Sequence, residues 1–121
     1  MKKMFVVMLL AIISVYALSA LKITPRPNPW NYQTSLAGGM TFPLASGTTE
    51  AILKIFNLSG DLVYQHSANS TELTTGIVWD GKNNHGFLVA TGVYFFSMSV
   101  TYTATGGSTT EYASGKILFV R

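Results

Sequence analysis

Between Val93 and Thr103 the chain alternates without a slip: Tyr94, Phe96, Met98 and Val100 fall on one face of an extended backbone, and Phe95, Ser97, Ser99 and Thr101 on the other. A helix would scatter those residues around its axis; a strand sorts them into an apolar face and a mixed one. The same period of two recurs between Glu50 and Leu58, where Ala51, Leu53 and Ile55 oppose Ile52, Lys54 and Phe56. Beyond residue 20 no window keeps apolar residues at helical spacing for three turns. Short β-branched and aromatic runs are instead separated by Gly, Asn, Asp and Ser, which is the pattern of an all-β chain.

The turn residues place the elements. Leu21 to Asn31 carries Pro25, Pro27 and Pro29 and is expected to be an extended arm, with residues 21–33 set apart from a domain over 34–121. A strand is expected from Thr34 to Phe42, bent or bulged at Gly38-Gly39, followed by the strand over Glu50–Leu58 and a turn at Asn57–Asp61. Leu62–Gln65 continues as a short strand, and His66–Thr75 reads as a polar loop or edge. Ile77–Trp79 is the next strand, with a dense turn signal at Asp80–Gly86 and a brief run at Phe87–Ala90. Val93–Thr103 and Glu111–Val120 close the chain as a hairpin whose tip holds Gly106-Gly107. About seven short strands with turns between them predict an antiparallel β-sandwich, with a barrel as the alternative.

The N-terminus reads differently. Lys2 and Lys3 precede an apolar run from Met4 to Tyr16, and small residues follow at Ala17, Ser19 and Ala20. That layout predicts a signal peptide over 1–20, cleaved beside Ala20, and hence an exported protein. The run is shorter than the roughly 20 residues that a spanning helix needs, so membrane contact is expected only during export. The formal charge of +3 shrinks once Lys2 and Lys3 are set aside, leaving six Lys and Arg against five Asp and Glu. No basic run remains, which argues against nucleic acid as a partner. The chain has no cysteine, so its core must hold without disulfides.

No constellation for catalysis stands out. The acids Glu50, Asp61, Glu72, Asp80 and Glu111 are scattered, one per segment, and no serine lies in a Gly-x-Ser-x-Gly elbow. His66 and His85 lie in separate polar turns without the convergent ligands that a metal requires. The Asp80–Gly86 turn is rich in oxygen donors, but Lys82 and His85 interrupt the calcium-loop pattern. It reads as a tight turn whose Asp and Asn side chains hold backbone amides. No catalytic, cofactor-binding or metal-ligating residue is therefore assigned, and no cofactor is expected. Among the aromatics, Trp79, Tyr94 and Phe96 read as core. Trp30 and Tyr32, beside the Pro-rich arm, either pack on the domain or form an interaction surface, and they are the candidate interaction residues. Asn57-Leu58-Ser59 and Asn69-Ser70-Thr71 fit the glycosylation acceptor pattern, which is short enough to arise by chance.

Five motifs occur in a familiar order. Pro27-Asn28-Pro29-Trp30-Asn31 resembles a Pro-Asn-Pro-Phe-Asn opening, and Leu53–Val63 resembles a central strand and turn. Trp79-Asp80-Gly81-Lys82-Asn83-Asn84-His85-Gly86 resembles a Trp-Asp-Gly turn. Val89–Phe96 is similar to Val-(Ala/Pro)-(Ser/Thr)-Gly-Val-Tyr-Phe-Tyr, and Lys116–Arg121 to Lys-Met-Val-Leu-Leu-Arg. Together they resemble the immunoglobulin-like domain of the flagellar hook-capping protein and of type IX secretion C-terminal sorting domains. The resemblance implies an immunoglobulin-like, fibronectin III-like sandwich from a Gram-negative bacterium, at the cell surface or outside the cell, with the periplasm as the alternative. Lacking catalytic groups, the chain is expected to be a non-catalytic structural or interaction protein that assembles through edge strands with itself or with a surface protein. A stand-alone type IX-like sorting domain and a carbohydrate-binding adhesive module are the alternatives, the latter with a glycan as partner.

Overall fold

The computed structural model describes residues 21–34 and 38–121, so the signal peptide expected over 1–20 lies outside the described residues. Among those described, the elements run β1 (Trp30–Asn31), β2 (Met40–Phe42), β3 (Thr48–Phe56), β4 (Leu62–Ser67), α1 (Glu72–Thr75), β5 (Ile77–Trp79), β6 (Gly92–Ala104) and β7 (Gly107–Val120). Five strands form one sheet in the order β1-β7-β6-β3-β4, and β2 and β5 form a second. The two make the expected all-β, immunoglobulin-like sandwich.

The period-2 faces build the core. Ala51, Leu53 and Ile55 of β3 lie opposite Val100, Met98 and Phe96 of β6, and Met98 and Tyr94 lie opposite Ala113 and Ile117 of β7. All are buried, and the second sheet closes over them with Met40, Phe42, Ile77 and Trp79. Phe42 meets Phe96 edge-on across the layers, with ring centroids 5.1 Å apart. Each such burial stabilises by roughly 1.5–3 kcal/mol, which is how a chain without disulfides holds together. The Tyr94 hydroxyl donates to the Ala90 carbonyl at 2.6 Å, latching the chain as it enters β6. Burial raises the pKa of this phenol above its ordinary value.

Several expectations need correction. Of the strand expected over 34–42, residues 35–37 lie outside the described residues, and Met40–Phe42 is the part described as a strand. Gly39 packs so close to β5 that a Cβ there would stand 2.5 Å from the Trp79 carbonyl oxygen. It therefore marks a close backbone approach rather than a bulge within a longer strand. The region 66–75 is not simply a loop: β4 runs on to Ser67, and Glu72–Thr75 forms one helical turn. Asn69 and Glu72 start that turn reciprocally, each backbone N–H donating to the other's side chain at 2.9 Å. The last strand begins at Gly107 rather than Glu111, because β6 and β7 stay paired out to Ala104 and Gly107.

The sandwich is also not wholly antiparallel. β1 runs parallel to β7, with Trp30 opposite Phe119 and Asn31 opposite Val120. The Pro-rich segment bridges Thr41 through Arg26 and then crosses to the far edge of the larger sheet. It reaches that edge heading the same way as β7. Within the segment expected as an arm, Trp30–Asn31 thus form a strand of the larger sheet.

Candidate interaction edge

The structure brings the two candidate aromatics together but separates their roles. Trp30 is 1% exposed and Tyr32 is 42% exposed, with ring centroids 5.9 Å apart. Pairing with Phe119 turns Trp30 inward, where its ring lies 5.1 Å from Phe119 and 6.2 Å from Trp79. Trp30 is a core residue, so it offers no surface for a partner. Tyr32 keeps a half-open face over Phe119. Among the described residues the buried Trp30 Nε1 has no hydrogen-bond partner. The Trp79 Nε1 donates to the Lys82 carbonyl at 2.9 Å and so anchors the turn that follows it.

That turn holds itself together. Asp80 Oδ1 accepts from the Lys82 N–H at 3.1 Å, and Asn83 Oδ1 accepts from the His85 and Phe87 N–H groups at 2.9 and 3.0 Å. Gly81, at φ +81°, lets the chain reverse beneath the Phe119 ring. Asp80 Oδ1 and Asn83 Oδ1 are thus engaged by backbone amides. Among the described residues no three His, Asp or Glu side chains gather as a metal site. His66, expected in a polar turn, lies on β4. Its Nε2 lies 2.8 and 3.0 Å from the two Glu72 oxygens, and its ring stacks on Tyr64. Asn69-x-x-Glu72, a capping-box spacing, is the sequence signal that could have located this cluster.

The sheet edges point to function. A strand at the end of a sheet exposes unpaired N–H and C=O groups, which a neighbouring chain can bind. Here parts of three edges are closed, on β4, β2 and β7. On β4, the Val63 carbonyl accepts from the Asn84 N–H at 3.2 Å, and the Gln65 N–H donates to Asn84 Oδ1 at 3.1 Å. On β2, Thr41 and Arg26 exchange both backbone hydrogen bonds, at 2.7 and 2.9 Å. On the last part of β7, Asn28 acts like a missing strand. Its Nδ2 donates to the Lys116 carbonyl at 3.1 Å, and its Oδ1 accepts from the Leu118 N–H at 3.0 Å. The Val120 carbonyl accepts from the Tyr32 N–H at 2.8 Å.

Those contacts also show which way β7 faces. Lys116, Leu118 and Val120 turn their backbone groups away from β6, and the period of two gives Ser108, Thr110, Tyr112 and Ser114 the same orientation. Among the described residues no backbone partner meets these four. The stretch is well exposed, with Tyr112 71% accessible. At its centre lies Glu111, whose side chain turns to the inner face. It accepts the Tyr102 hydroxyl on Oε1 at 2.7 Å, and this hydrogen bond is the main reason the Tyr102 pKa is raised. Glu111 also lines a groove of about 540 Å³ formed with Leu21, Ile23, Leu44, Val100 and Tyr102. The residue that closes the end of β7 is distant in sequence: Asn28 lies 88 and 90 residues away from its two partners.

Known proteins share this architecture. PorZ of Porphyromonas gingivalis, described as an essential bacterial surface component of the type IX secretion system, superposes with a TM-score of 0.50 at 25% identity. Dimeric latent PorU from the same organism superposes with a TM-score of 0.53 at 21% identity, a likeness of fold. The matches cover 82% and 81% of this chain but only 11% and 9% of those proteins, so the resemblance is to one small part of each. No curated protein sequence matches the chain. The sequence profile of the FlgD Ig-like domain matches residues 30–104, more than half of the chain, from β1 to the tip of the β6–β7 hairpin. With that span and the two-sheet architecture in agreement, the chain belongs to the FlgD Ig-like domain family.

Proposed function

We propose that this chain is a non-catalytic docking module, exported to the surface of a Gram-negative bacterium, that binds another protein by strand addition along β7. One observation carries the reading: Ser108, Thr110, Tyr112 and Ser114 turn their backbone groups outward without a partner, while Asn28, Arg26 and Asn84 close other edges of the same fold. Closing the C-terminal part of the β7 edge while leaving four outward-facing residues open fits strand addition, in which main-chain hydrogen bonds supply the affinity. The likeness to a surface component of a secretion system supports a protein partner and an envelope setting. Burial of Trp30 removes half of the aromatic pair on which the carbohydrate reading rested.

Photo-crosslinking in the producing cells tests this reading. Benzoylphenylalanine at Tyr112 is expected to give a discrete protein adduct, and at Val78, exposed on β5, none. Adducts at Val78 with none at Tyr112 would overturn it.

A further inference from the structure

The open edge carries a single charge, and that charge narrows what can dock. This inference rests on the docking reading above. Glu111 sits midway along the open stretch, half-buried, with its carboxylate in a groove whose walls include Leu21, Ile23 and Leu44. Among the described residues it forms no ion pair, although Lys22 lines the same groove.

We infer that the β7 edge selects an extended segment of another protein that places a Lys or Arg side chain opposite Glu111, and that it disfavours a second copy of this chain. Consider first a two-fold antiparallel pairing of two copies that uses all four open residues. Ser108 of one copy then meets Ser114 of the other, and Thr110 meets Tyr112. Glu111 faces Glu111 across the axis as a non-hydrogen-bonded pair, the closer of the two pair types, with Cα atoms about 4.5 Å apart. Like charges directly opposed destabilise such a pair. Sliding the copies by two residues relieves the contact, but one end then runs onto the Thr105–Gly106 turn or onto Lys116, whose carbonyl Asn28 already holds. An inward-pointing charge at the centre of an edge is a known device against self-pairing. The same carboxylate favours a strand with a cation at that position. Such a strand would lay its inner face along the groove, so its residue two positions from the cation is apolar.

Two acetylated, amidated decapeptides of alternating Val and Thr, one with a central Lys and one with a central Glu, serve as probes. Each is labelled with fluorescein and titrated with the full chain by anisotropy, alongside sedimentation velocity of the chain alone. The Lys peptide is expected to bind about five-fold more tightly than the Glu peptide, and Glu111→Lys to reverse that order. Thr110→Pro is expected to abolish binding of both. Its N–H points away from β6, so the ladder keeps its hydrogen bonds, and an unchanged circular dichroism spectrum verifies the fold. Equal binding of both peptides, lost in Thr110→Pro, would keep the edge as a docking site and overturn the selection by charge. Binding that Thr110→Pro leaves unchanged, or no binding of either peptide, would overturn the docking reading and this inference with it. A wild-type dimer that Thr110→Pro dissociates would identify a second copy as the occupant and overturn the inference.

Discussion

Two tryptophans of equal burial differ by one hydrogen bond, and that difference is measurable. Trp79 donates its indole N–H to the Lys82 carbonyl, whereas the Trp30 N–H has no partner among the described residues. Replacing either with Phe removes similar apolar volume, but only Trp79→Phe also leaves a turn carbonyl without its donor. Trp79→Phe is therefore expected to destabilise by about 1 kcal/mol more than Trp30→Phe, read from urea unfolding of both variants. Glu72 gives a second prediction. Burial acts to raise its pKa, but the Asn69 N–H, the hydrogen bond from His66 and the charge of His66 together hold it below the ordinary glutamate value. A carboxyl depressed in the folded state contributes stability above its unfolded pKa, about 4.3. That contribution is lost as the pH falls through the folded pKa. Chemical denaturation across pH 3–7 is expected to show a steeper acid loss for the wild type than for Glu72→Gln; parallel curves would remove Glu72 from the account. The two histidines looked alike as residues, each in a polar turn, but only the fold brings His66 to Glu72.

At the scale of elements, the asparagines matter most. Asn84 reaches β4 from a turn 19 residues beyond Gln65, holding both a carbonyl and an N–H that β4 would otherwise expose. Asn84→Ala is expected to leave the turn formed, because Asn83 holds its amides. It should also speed amide exchange at Gln65 and raise aggregation on concentration. Unchanged exchange at Gln65 would show that the contact does not protect the edge. The strands themselves were legible in the sequence. The core faces of β3, β6 and the end of β7 follow from alternation alone, and Asp80–Gly86 reads as a turn from its composition. What was not legible was strand length at the ends: β2 begins at Met40, next to Gly39, whose backbone packs closely on that of Trp79, 40 residues away.

For the whole molecule, the N-terminal segment acts as part of the core. A chain beginning at Gln33 would lose Trp30, the Asn28 clamp and the Tyr32 contact to Val120 together. Losing a fully buried Trp alone costs about 3–5 kcal/mol, a large part of the stability of a domain this small. Such a truncation is expected to show no cooperative thermal transition, as followed by near-ultraviolet circular dichroism. Retention of a sharp transition would mean that β1 is dispensable.

The sequence by itself determined the class of fold, its main strands, the faces that meet in the core and the family resemblance. All of these are properties of neighbouring residues, because a period of two and a turn residue act within a few positions. The tertiary structure decided the rest: that Trp30 enters the core through a parallel pairing with Phe119, that Asn28 and Asn84 cover parts of their edges, and that among the described residues none pairs with the outer edge of β7 around Glu111. Whether an edge is covered depends on which distant segment reaches it. A strand's local pattern is the same with or without a neighbour, since its outward N–H and C=O groups belong to the backbone that every residue shares.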